Sequence, residues 1–225
     1  MKKKELELNY SYLDQIENLS GSSLSPENYE RLIDLTQHPD SSIRFRVAEI
    51  LVSFPSLQTD YILASLLNDK DELVRVTACD SLCISESKEI KNLLKTKAIM
   101  DSPLVKRYAI LSLADITMNL KDEMIHEEIA EFIKNFLSKE EISEIRLSGY
   151  HSLCVLGLSE YYSKILEFLD DPTYQNRCAA INSIKELISD ENKKQTIDRL
   201  KKRAKIEKIR AVKCGIDSLL SAHSS

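Results

Sequence analysis

The sequence predicts an all-α protein, an α-solenoid of about six helix pairs with an additional N-terminal capping helix. Three observations carry this. A basic residue recurs at Arg44, Arg75, Lys106, Arg146 and Arg177, at separations of 31, 31, 40 and 31 residues, and a looser copy follows at Arg210, 33 residues further on. Each of the five is followed by a small residue three or four places later (Ala48, Ala78, Ala109, Gly149, Ala180) and by a large aliphatic seven places later (Leu51, Leu82, Leu113, Leu153, Ile184). Glycine and proline are scarce, four and five in 225 residues, too few for the frequent turns of a β-rich fold.

The elements follow in pairs. Residues 8–18 form the capping helix, and Gly21–Ser25 is the one linker-like stretch, so residues 1–25 read as cap and linker and 26–225 as the solenoid. The expected pairs are 26–37 with 41–53, 58–67 with 71–84, 87–98 with 103–118, 121–137 with 141–156, 159–169 with 173–188, and 191–203 with 205–222. Ser25-Pro26-Glu27 is a strong helix start, because proline at the first helical position loses an N–H that has no partner there anyway. In the second pair, Tyr61–Leu67 is an apolar stripe, Asn68–Asp71 breaks it, and Leu73, Val74, Ala78 and Leu82 resume at helical spacing. Asp69 or Asp71 is placed to cap the helix that follows. The 40-residue interval holds about nine extra residues around 119–133, expected to lengthen the first helix of the fourth pair.

The run from Leu67-Asn68-Asp69 through Val74-Arg75 to Ala78 and Leu82 resembles the HEAT-repeat pattern in its short form of about thirty residues, as in bilin-lyase-like HEAT proteins. Leu169-Asp170-Asp171-Pro172 through Arg177 and Ala180 is similar. The resemblance spans roughly residues 26–220 and implies six HEAT-like helix pairs. It implies little about function, since scaffolds, inhibitors, lyases and nucleic-acid enzymes share this fold. Arg75 and Arg177 are expected to be structural, each meeting a carboxylate or carbonyl of its own or an adjoining repeat.

Catalytic chemistry finds no template. His38, His126, His151 and His223 are dispersed over different repeats, and His126-Glu127 is a lone His-Glu pair, so no metal site and no cofactor are expected. Phosphate-binding glycine loops and the nucleophile-elbow motif are absent. Cys154 follows His151 by three residues on one expected helix, and chance proximity is the simpler reading. The five cysteines (Cys79, Cys83, Cys154, Cys178, Cys214) are odd in number and form no CxxC pair, which reads as reduced helical residues. The expectation is a protein that is not an enzyme. The basic start Met1–Lys4 leads into no apolar core of a signal peptide, and no stretch approaches 18 apolar residues, which points to a soluble, cytoplasmic protein. Its wealth of Lys, Ile, Asn and Ser resembles the products of low-GC bacterial genomes.

A solenoid binds through side chains that successive repeats present in rows. On the second helices the partner-facing positions read Phe45, Glu49, Asp80, Arg107, Tyr108, Asp115, Tyr150, His151 and Asn182: mixed, acidic toward the N-terminal half, with two tyrosines. That composition suits a protein partner, basic where it meets the carboxylates, better than a phosphate track. The net charge of −5 and the lack of tryptophan argue against nucleic acid. A second candidate surface, for polyanions, is Lys201, Lys202, Arg203 and Lys205, within a segment (Lys193–Lys213) of ten bases against Asp198 and Glu207. The leading expectation is a non-catalytic protein-binding module, an adaptor or an inhibitor such as a toxin-neutralising immunity protein. The alternatives are a nucleic-acid-binding or base-repair solenoid and a chromophore-lyase-like chaperone.

Overall fold

The computed structural model describes residues 2–21 and 23–223. Met1, Ser22, Ser224 and Ser225, which fall in the expected cap, linker and solenoid end, lie outside them. Among the described residues there are thirteen α-helices, three short 3-10 turns and no strand. The helices are α1 (Lys2–Glu17), α2 (Pro26–Leu35), α3 (Ser41–Leu51), α4 (Leu57–Leu66), α5 (Glu72–Ser81), α6 (Lys88–Met100), α7 (Pro103–Leu120), α8 (Glu123–Leu137), α9 (Ser143–Val155), α10 (Tyr162–Glu167), α11 (Tyr174–Leu187), α12 (Lys193–Ala204) and α13 (Arg210–Ala222). The architecture is an α-solenoid of HEAT-like helix pairs.

The chain divides into two compact units, Met1–Ile129 and Ala130–Ser225, with the boundary inside α8. In the first, α1 lies on α3, α3 on α5 and α5 on α7, a row of second helices backed by α2, α4 and α6. In the second, α9, α11 and α13 form the corresponding row, with α10 and α12 behind them.

The repeat grammar explains the packing. Ala48, Ala78, Ala109 and Ala180 are fully buried, and so are Leu51, Leu82, Leu113, Leu153 and Ile184. Small residues let the helices approach, and the aliphatics fill the space between repeats. Gly149 is the extreme case: a β-carbon there would stand 2.6 Å from Leu137 Cδ2. Ser25 caps α2 by accepting from the Asn28 N–H. Asp71 caps α5, accepting from the Leu73 and Val74 N–H groups, and Asp69 is thereby released for another partner.

That partner is Arg44. Its Nε donates to Asp69 Oδ2 at 2.6 Å and its Nη2 to Oδ1 at 2.7 Å, while Nη1 donates to the His38 carbonyl at 2.7 Å. Arg75 repeats the arrangement with Asp101 (Nη2–Oδ1 3.0 Å) and the Asp69 carbonyl (2.9 Å). Arg177 does so with Glu207 and the Asp171 carbonyl. Each guanidinium therefore closes its own interhelical turn and grips the next one. Lys106 makes no ion pair among the described residues, and Arg146 turns instead to the Tyr150 hydroxyl, 2.9 Å away.

Several boundaries differ from expectation, for local reasons. α1 begins at Lys2 rather than near residue 8, and its second half is the part that buries Leu13 and Ile16. The expected helix 159–169 is α10 flanked by 3-10 turns at Ser159–Tyr161 and Phe168–Asp170; Pro172 holds Asp171 extended and ends it. α13 starts at Arg210, not 205, because the Glu207 carboxylate accepts from the Lys208 and Ile209 N–H groups and keeps that turn non-helical. The extra residues are shared: α7 extends to 18 residues, Lys121 reverses the chain at φ 52°, and α8 takes 15.

Candidate partner-binding surface

The second-helix row of the first unit presents Phe45 and Glu49 on α3, Asp80 on α5, and Arg107, Tyr108 and Asp115 on α7. Glu49, Asp80 and Asp115 are exposed, while Phe45, Arg107 and Tyr108 are half-buried. Glu49 is engaged by Arg46, whose Nη1 donates to it at 2.6 Å while Nη2 reaches Glu17 on α1. Asp80 is crowded enough that desolvation raises its carboxyl pKa. The Cys83 thiol is pushed up to about 11, first by burial and then by the carboxylates of Asp115 and Asp80. Two carboxylates from neighbouring helices thus bear on one half-buried thiol. The Arg107 guanidinium lies 5.9 Å from the Tyr108 ring centre, and its Nε is buried without a hydrogen-bond partner.

In the second unit the expected positions separate. His151 is half-buried, its Nε2 lies 3.5 Å from Glu186 Oε2, and its Nδ1 is buried without a partner. Asn182 is exposed. Tyr150 is a correction: it is 8% exposed, stacked on Tyr161 at 6.1 Å between ring centres and edge-on to Phe168 at 6.4 Å. It belongs to the core formed with Leu147, Tyr162, Ile165 and Ile184, and its hydroxyl accepts from Arg146 Nη2. Lys201, Lys202 and Lys205 are exposed, as a polyanion surface requires. Arg203 is half-buried and already paired: its Nε and Nη2 donate to Glu207, and its Nη1 lies 3.5 Å from Asp170.

The titratable groups offer little chemistry. His151 and Cys154 share α9, but burial lowers the histidine pKa against the pull of Glu186. Burial, helped by Glu160, pushes the Cys154 thiol up to about 12. A nucleophilic cysteine needs the opposite shift. Cys79 is also pushed up to about 12, chiefly by burial. Among the described residues no group of three or more His, Cys, Asp or Glu side chains is placed to hold a metal ion. No helix among them is long and apolar enough to cross a membrane.

One feature escaped the sequence reading. A cavity of about 430 Å³ in the first unit is lined by Pro55, Ser56, Leu57, Asp60, Ile84, Ser85 and Glu86. Asp60 opens the apolar stripe of α4 as its one charge, and that isolation was the available signal.

No protein-family model matches the sequence, and no curated protein matches it significantly. Solved structures do. YibA of Escherichia coli aligns with a TM-score of 0.58 and 19% identity, over 94% of this chain and 74% of that one. The complex of CpcE and CpcF of phycocyanin lyase from Nostoc sp. PCC7120 aligns with a TM-score of 0.57 and 13% identity, over 94% of this chain and 88% of that one. At these identities the likeness is one of fold, the HEAT-like α-solenoid.

Proposed function

We propose that this HEAT-like solenoid is a non-catalytic protein-binding module, an adaptor or an inhibitor, that receives a basic protein partner on its second-helix face. The observation that carries the reading is the row of exposed carboxylates, Glu49, Asp80 and Asp115, on the successive second helices α3, α5 and α7. Tyr108, half-buried on the same helix as Asp115, supplies an aromatic of the kind that anchors interfaces. Acidic rows steer a basic partner and speed encounter, an effect that fades as salt rises. An immunity protein bound to a cognate toxin is one form such an inhibitor takes.

The test is a comparative pull-down from the native cell, read by mass spectrometry, with the wild-type chain and with the double variant Asp80→Lys, Asp115→Lys. Basic proteins retained by the first and lost by the second support the reading. Equal recovery by both, with loss on reversing Lys201 and Lys202 to glutamate, moves the site to the basic end and favours a polyanion ligand. The likeness to CpcE and CpcF favours a second reading, a chromophore-lyase-like chaperone. A shift in the visible spectrum of a free bilin on mixing with the chain would support that one.

A further inference from the structure

The cavity at the start of α4 carries a charge that the protein leaves unbalanced. Asp60 is only 9% exposed, yet it lines a space of about 430 Å³. One carboxylate oxygen, Oδ2, accepts from the Ser85 hydroxyl at 2.6 Å. The other, Oδ1, has no hydrogen-bond donor among the described residues. The second ionisable group of the lining is another acid, Glu86, and no base lines the cavity. Lys88, the nearest base in sequence, is held by Asp122 at 3.0 Å.

The Asp60 carboxylate thus has one protein donor, and its other oxygen opens on the cavity, where the low exposure of the residue leaves its charge only partly compensated. Desolvation accordingly raises the Asp60 carboxyl pKa, with Ser85 opposing. A cation entering the cavity would supply the missing partner in a low-dielectric setting, where charge-assisted hydrogen bonds are strongest. The walls define the rest of the ligand. Pro55, Leu57 and Ile84 offer apolar surface beside the acid, and Leu57 is 83% exposed at the rim. An aliphatic arm ending in a positive charge matches that combination. An anion drawn to the first turn of α4 would instead meet two carboxylates.

We propose that this cavity is a binding site for an alkylammonium or alkylguanidinium group, with Asp60 as the buried counter-ion, Ser85 orienting it and Glu86 at the mouth. The chemistry is shared by free polyamines and by lysine or arginine side chains of a protein. The site stands independently of the second-helix face and would persist if that face bound nothing.

The experiment is a titration of the full chain, labelled with nitrogen-15, followed by amide chemical shifts. The probes are cadaverine, agmatine, and lysine blocked at both backbone ends, with 1-pentanol as the neutral control. Saturable shifts confined to Leu57, Asp60, Ser85 and Glu86 with a cationic probe, and none with pentanol, are expected. Asp60→Asn keeps the shape and the hydrogen bond from Ser85 but removes the charge, and should weaken binding by at least about tenfold. A stronger response to blocked lysine than to cadaverine identifies a side-chain ligand, and the reverse a free amine. Shifts as large with pentanol as with cadaverine, an undiminished affinity in a folded Asp60→Asn variant, or no localised shift with any cation would overturn the proposal. The pentanol comparison uses the wild-type chain and decides the matter even where the variant does not fold.

Discussion

Arg177 and Glu207 meet through two hydrogen bonds, Nε to Oε2 at 2.8 Å and Nη2 to Oε1 at 3.2 Å, with the glutamate side chain only 1% exposed. Burial alone would raise the Glu207 pKa. Arg177, the Ile209 N–H and Arg203 outweigh it and bring the carboxyl from its ordinary 4.5 down to about 2. Between those values the folded chain binds fewer protons than the unfolded one. The stabilisation is therefore complete above about pH 4.5 and is lost as pH falls toward about 2. Denaturant midpoints across that window should drop steeply for the wild type and less steeply for Glu207→Gln. Equal slopes would mean that the pair does not govern acid stability. Arg177→Ala leaves the buried acid with Arg203 as its remaining cation and should cost about 3 kcal/mol at neutral pH.

Tyr150 is a core residue, and its variants should behave as such. Tyr150→Ala removes a ring packed on Tyr161 and Phe168 and should cost about 3–5 kcal/mol. Tyr150→Phe loses only the hydrogen bond from Arg146 and should cost about 1 kcal/mol. Thermal melts check both. A near-neutral Tyr150→Ala would place the ring on the surface after all.

Lys121 holds φ at 52°, in the left-handed region where a β-carbon is disfavoured. It ends α7 at the position where helices most often carry glycine. Lys121→Gly should raise stability by roughly 1 kcal/mol, seen as a higher denaturant midpoint with an unchanged slope. A loss of stability would show that the lysine side chain contributes more than the backbone strain costs.

On the second-helix face, Tyr108→Ala should weaken a bound partner by about 2 kcal/mol through faster dissociation. Asp80→Lys with Asp115→Lys should act on the association rate, more at low salt than at high salt. Stopped-flow binding separates these effects. An association rate unchanged by the double lysine variant at low salt would remove the steering role.

The row of small and aliphatic residues was legible because a helical repeat imposes one phase on every copy: Ala78 and Leu82 foretell Ala109 and Leu113. Ser25-Pro26 was legible because capping is local. Tyr150 was not, since its burial depends on Tyr161 and Phe168, which belong to the pair that follows. The pairing of Arg203 was not legible either, since it is made with Glu207, whose other partner Arg177 lies 30 residues before it. Asp60 shows the same limit: Ser85, 25 residues on, and the cavity wall arise only when two repeats stack. Periodicity identifies which face a residue occupies, and contacts across repeats decide what that face meets.

The paired turns of the first unit have a consequence for how such a chain can change length. Arg44 reaches an acid 25 residues ahead and Arg75 one 26 residues ahead, each in the same type of turn. Excising residues 45–75 would hand the acid of the lost copy's neighbour, Asp101, to Arg44 at the spacing that Arg75 uses now. The bond pattern would close over the gap without a new sequence at the joint. A module can therefore be added or removed with the arginine–acid ladder of the turns kept whole, although the surface pair of Arg46 with Glu17 would be lost.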